Sequence, residues 1–104
     1  MDRVFKALAD ASRRQLLDRL YAESGQTLGD LAARLDMTRQ AVSKHLAVLE
    51  AANLVATVRH GREKLHYLNP LPIHDIATRW IRKYERHHLQ ALSELKIRLE
   101  KPHE

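Results

Sequence analysis

The chain contains no cysteine in its 104 residues. That excludes disulfides, thiolate metal ligands and a cysteine nucleophile. Glycine and proline occur only three times each. There is no low-complexity linker, no repeat and no glycine loop able to cradle a phosphate. Acidic residues are the minority sign, 13 against 18 Lys and Arg, for a net charge of +5. This balance favours a polyanionic partner. No apolar run approaches the ~20 residues that span a bilayer. The opening Met1-Asp2-Arg3-Val4-Phe5 lacks the apolar core of a secretory signal. The expectation is one cytoplasmic domain over residues 1–104, with no membrane association.

What is present is a succession of short helical patterns. Val4, Phe5 and Leu8 share one face of a first helix over residues 1–9. Asp10 can cap a second helix with the stripe Leu16, Leu17 and Leu20. Thr27 caps a third, with Asp30 three residues on in a capping-box arrangement. Leu28, Leu31, Ala32 and Leu35 form its inner face. Asp36 and Met37 make a tight turn, and aspartate tolerates the left-handed conformation such a turn can need. Thr38 caps the fourth helix, whose inward residues are Val42, Leu46 and Leu49. Residues 27–52 therefore read as a helix-turn-helix.

The outward side of the fourth helix carries Gln40, Ser43, Lys44 and Ala47, with Arg39 on the flank. No acid occurs between Thr38 and Val48. Glutamine can bond adenine, arginine guanine, and serine either; Lys44 suits a phosphate. An ordinary polar helix surface is the competing explanation. His45 sits where it can pack on the turn or bond a phosphate.

Residues 55–68 follow as a two-stranded ribbon, the wing. Ala56 and Val58 alternate with Thr57 and Arg59, and Leu65 and Tyr67 with Lys64, His66 and Leu68. Gly61 suits a positive-φ tip. Arg59, Arg62 and Lys64 cluster there, suited to phosphate contact. Arg13 and Arg14 are candidates for flanking phosphates. The candidate DNA contacts are thus Thr38, Arg39, Gln40, Ser43, Lys44, His45, Arg59, Arg62, Lys64, Arg13 and Arg14.

Asn69-Pro70-Leu71-Pro72 opens a last helix whose pattern runs without a breaker over residues 72–99. At ~1.5 Å per residue it would be about 40 Å long. Its stripe includes Ile73, Ile76, Trp80, Tyr84, Leu92, Leu95 and Leu99, more apolar surface than so small a domain covers alone. A second copy is the expected cover, joined by Phe5 and Leu8 of the first helix. A two-fold dimer would set two reading helices about 34–36 Å apart on a palindromic site. The fold class predicted is mostly α with a small β-hairpin: a winged helix-turn-helix of about five helices and a two-stranded wing.

Several stretches resemble the ArsR/SmtB family of bacterial winged-helix repressors. They are Ala7-Leu8-Ala9-Asp10 with Arg13-Arg14, Leu31-Ala32, residues 41–46, residues 49–55, and Gly61-Arg62 followed by Tyr67. The resemblance implies a homodimer, built on the first and last helices, that binds double-stranded operator DNA and represses transcription. Where the family usually carries glycine, near Asn53, this chain has asparagine, the next best residue for a left-handed helix end. The last helix resembles the branch without a recognised metal box. The family's cysteine site is absent. Its alternative pattern of Asp-x-His and His-x-x-Glu/His places Asp75, Ala77, His88 and Ala91 at the four positions, only two of which are ligand types. His74 and His87 lie nearby, so His74, Asp75, His87 and His88 are the candidates for a histidine-based metal-responsive site. No cofactor is expected, and no residue pattern identifies an inducer. Two further classes compete. A winged-helix module that binds protein would carry acids on the outward face. An enzyme would need a nucleophile beside a base, and Ser43 and His45, two apart on a helix, face different directions.

Overall fold

The computed structural model describes residues 1–84 and 86–100, without the side chains of residues 86–88. Four helices open the chain: α1 (Asp2–Leu8), α2 (Ala11–Ala22), α3 (Leu28–Leu35) and α4 (Arg39–Ala51). Their starts are fixed by side chains. Asp10 accepts the Arg13 backbone N–H at 3.0 Å, and Thr38 accepts that of Ala41 at 3.1 Å. Thr27 and Asp30 bond reciprocally in the expected capping box, at 3.1 and 3.2 Å. Such a cap contributes about 1 kcal/mol. The apolar faces of α2, α3 and α4 meet in a core of Leu16, Leu20, Leu31, Val42, Leu46, Leu49 and Leu54, all fully buried. Each such side chain contributes roughly 1.5–3 kcal/mol relative to exposure.

Two left-handed residues end the helix-turn-helix elements. Asp36 closes α3 at φ 52°, ψ 45°, and the Met37 N–H reaches back to the Ala32 carbonyl at 3.3 Å. Asn53, at φ 62°, follows α4. The Asn53 N–H bonds Glu50 O at 3.0 Å and the Leu54 N–H bonds Leu49 O at 2.9 Å, the paired bonds of a Schellman ending. Leu49 and Leu54, the two ends of that longer bond, are both buried, so the chain turns directly from α4 into the ribbon.

The wing is an antiparallel pair, β1 (Val55–His60) and β2 (Glu63–Leu68), in register from Val55↔Leu68 to His60↔Glu63. Gly61 takes φ +64° at the first loop position. The residues that alternation groups as apolar are not the ones the fold buries. Val58 is 53% exposed, whereas Val55 and His66, on the opposite face, are buried. The cause is a third segment. Gln26 bridges to His66, with Gly25 N–H to His66 O and His66 N–H to Gln26 O both at 2.8 Å. This bridge lays the α2–α3 loop along β2 and covers its His66 side.

These elements and the start of α5 (Leu71–Ile76) make one compact unit, residues 1–73. Residues from 74 onward form a second unit. The last helix is not continuous, contrary to its sequence pattern. After α5 the chain passes through a π-helical stretch, Ala77–Ile81, and a 3₁₀ turn, Arg82–Tyr84, before α6 (Arg86–Glu100). Among the described residues there are six α-helices where about five were expected; the architecture is otherwise the predicted one. Among the described residues no helix is long and apolar enough to cross a membrane.

Candidate nucleic-acid interface

Helix α4 begins at the Thr38 cap and leaves its first two turns on the surface. Arg39, Gln40, Ser43 and Lys44 are exposed, with Val42 and Leu46 beneath them in the core. The 3.6-residue period separates the outward residues into two groups. Arg39, Ser43 and Glu50 line a groove of about 470 Å³ that also takes in Thr27, Leu28 and Gly29 of the α3 start and Arg62, Lys64 and His66 of the wing. Gln40, Lys44 and His45, with Thr38 and Ala41, line a second concavity of about 300 Å³ on the other side of α4. The sequence pattern treated these as a single face; the fold gives α4 two.

The candidate cations differ in what they already hold. Lys64 pairs with Glu50 at 3.3 Å, tying the wing to α4. Arg59 and Arg62 at the wing tip are exposed. Arg13 donates through Nε to Ala7 O at 2.8 Å and through Nη2 to Lys6 O at 2.9 Å, and Arg14 Nη1 donates to Leu8 O at 2.7 Å. Both arginines therefore satisfy the open carbonyls at the C-terminus of α1, where positive charge also suits the helix dipole. His45 reaches toward the same junction, its Nδ1 3.9 Å from Asp10 Oδ2. The backbone N–H of Arg13 holds the Asp10 carboxyl below its ordinary 3.8, assisted by the charges of Arg13 and His45 and opposed by desolvation.

Three contributors escaped the sequence reading. His66 was grouped with exposed wing residues, and its burial depends on a bridge to a loop 40 residues away. Glu50 gave no signal because its partner lies on another element. Gly29 stands inside a helix at ordinary φ, and its neighbour explains it: a Cβ there would lie 3.1 Å from Arg39 Nη2.

The metal candidates fall in the second unit. His74 Nδ1 lies 3.4 Å from Thr78 Oγ1. The side chains of His87 and His88 lie outside the described residues. Among the described residues, no three His, Asp or Glu side chains are grouped to hold a metal ion. In the same unit the Arg79 guanidinium lies 5.3 Å from the Trp80 ring centroid, a cation–π contact. Leu92, Leu95 and Leu99 of α6 are exposed, as is Phe5 on α1.

The chain and its fold are similar to those of known proteins. A helix-turn-helix domain family matches residues 8–58. The chain is 41% identical over 86 residues to the HTH-type transcriptional regulator YuzN of Bacillus subtilis, covering 77% of this chain and 94% of that protein. It is 33% identical over 75 residues to the transcriptional repressor SdpR of Bacillus subtilis, covering 72% and 82% respectively. Among solved structures, an ArsR-like transcriptional regulator from Rhodococcus superposes with a TM-score of 0.76 at 30% identity, covering 97% of this chain and 92% of that one.

Proposed function

Because the chain belongs to the ArsR-like family of winged helix-turn-helix transcriptional regulators, we propose that it is a homodimeric repressor of a palindromic DNA operator. One observation carries this reading: the exposed first turns of α4 bear Arg39, Gln40, Ser43 and Lys44 with no acid between Thr38 and Val48, beside a wing tip bearing Arg59 and Arg62. In this reading α4 enters the major groove. Gln40 and Ser43 meet base edges, Lys44 meets phosphate, and the wing tip follows the adjacent backbone. Arg13 and Arg14 hold the α1–α2 junction rather than the DNA.

The dimer rests on a different feature. The apolar residues Leu92, Leu95 and Leu99 recur on α6 and are exposed in the single chain. A second copy covers that stripe and supplies the second reading helix. Repression follows from occupancy, since a dimer seated over a promoter excludes polymerase. Similarity to a protein named as a transcriptional repressor supports that sign of regulation.

DNase footprinting of the region upstream of the protein's own coding sequence tests the proposal. Two protected half-sites, centred about 10–10.5 base pairs or a multiple of that apart and related by two-fold symmetry, are the expected result. A single unsymmetrical footprint would contradict the dimeric mode. No protection at any concentration on that or other promoter DNA would contradict operator binding itself.

A further inference from the structure

Gly29 occupies the second position of α3, within its first turn. Its φ is not positive, so the backbone does not require glycine there. Alanine favours a helix over glycine, so the local sequence works against the element it sits in. The compensating feature is Arg39. A Cβ at position 29 would lie 3.1 Å from Arg39 Nη2, tighter than ordinary van der Waals contact, and 3.4 Å from Cζ, so the guanidinium would have to give by a few tenths of an ångström. The missing side chain is the space in which the guanidinium rests.

We propose that Gly29 is a positioning residue for DNA binding, and that it seats the Arg39 guanidinium on α3 to grip a backbone phosphate. The proposal rests on the DNA-binding reading above and adds a role within it. Arg39 is the first residue of α4, yet it faces the groove shared by α3 and the wing rather than the concavity of Gln40 and Lys44. In a helix-turn-helix the first helix of the pair crosses the DNA backbone while the second reads bases. A guanidinium laid on α3 therefore sits on the backbone side. The first turn of α3 already holds an anion, Asp30, whose carboxylate accepts the Thr27 N–H at 3.2 Å. Two carboxylates, Glu50 and Glu63, line the groove with Arg39; Glu50 is engaged by Lys64 at 3.3 Å, and among the described residues no carboxylate forms an ion pair with Arg39. A phosphate bound by Arg39 would supply that partner, two guanidinium N–H groups donating charge-assisted bonds to two of its oxygens. Seating the long side chain in advance reduces the rotamer freedom lost on binding.

The test is a set of four proteins: wild type, Gly29→Ala, Arg39→Ala and the double variant. Each is titrated by fluorescence anisotropy against a duplex of its own upstream region and a scrambled duplex, across salt, with melting temperatures measured in parallel. Arg39→Ala is expected to weaken both duplexes about tenfold and lower the salt slope by about 1. Gly29→Ala is expected to weaken both several-fold without lowering the melting temperature, because only the flexible end of Arg39 must move. Adding Gly29→Ala to Arg39→Ala is expected to change nothing further. An equal loss from Gly29→Ala with and without Arg39 would overturn the positioning role, as would unchanged binding. A loss from Arg39→Ala confined to the upstream duplex would overturn the phosphate assignment. If Gly29→Ala lowers the melting temperature in the presence and absence of Arg39 alike, the glycine serves the fold and the proposal fails. If wild type binds neither duplex, the underlying DNA-binding reading fails instead, which separates the two.

Discussion

His66 directs two groups at one atom: its backbone N–H lies 2.8 Å and its ring Nδ1 2.9 Å from the carbonyl oxygen of Gln26. A carbonyl only accepts, so Nδ1 carries the hydrogen. The ring is buried and lies 40 residues from its partner in sequence, so this contact fastens the wing to the α2–α3 loop. His66→Ala should destabilise the protein by about 1–3 kcal/mol in urea unfolding, through a lost bond and a small cavity. A change under about 0.5 kcal/mol, the range of an ordinary surface substitution, would show that the contact does not hold the wing.

The Asp10 carboxyl accepts the Arg13 backbone N–H, and its pKa is held below 3.8 chiefly by that bond. A depressed folded-state pKa means that the charged form stabilises the fold above the unfolded value. That contribution disappears as pH falls through the folded value, so the sensitive window lies below about pH 4. Asp10→Asn keeps a capping oxygen but no charge. Its melting temperature should be lower than wild type near neutrality, and the difference should close as acid is added. A constant difference down to strongly acidic pH would show that the Asp10 charge contributes nothing.

Asn53 ends α4 at φ 62°. Asn53→Ala should cost about 1 kcal/mol, since a Cβ residue without a local polar group resists the left-handed region. Asn53→Gly should be neutral or slightly stabilising. The two urea midpoints check this directly, and equal values would rule out a conformational origin.

Gln40 and Arg62 should separate in their effects on DNA. Gln40→Ala should lose about 1–3 kcal/mol on the operator and little on scrambled DNA. Arg62→Ala, at the exposed wing tip, should weaken both and reduce the salt slope by about 1. Identical profiles for the two variants would mean that α4 is not the reading element.

Leu95→Glu places a charge within the exposed apolar stripe of α6. Sedimentation equilibrium should then show a monomer where the wild type is a dimer. A wild-type monomer at working concentration, or a variant that remains dimeric, would remove this stripe from the interface.

Local chemistry made much of the fold legible. Thr27 with Asp30, Thr38, Asp36, Asn53 and Gly61 each act through neighbours within a few residues, and all adopt the conformations their types favour. The aliphatic stripes of α2 and α4 were readable for the same reason, as one face at the 3.6 period. What was not legible depends on distant partners. The burial of His66 requires Gln26, and the engagement of Lys64 requires Glu50. Arg13 and Arg14 looked like free surface cations because the α1 carbonyls they cap give no side-chain signal. The interruption after Ile76 was hidden by an unbroken apolar period.

The most direct test is an anisotropy titration of the wild-type protein against its upstream DNA and a scrambled duplex over a range of salt. A sequence-reading repressor predicts binding about a thousandfold or more tighter to the upstream duplex, with both affinities falling steeply as salt rises. Equal affinity for the two duplexes, or for the upstream duplex and every other promoter region tried, would contradict it.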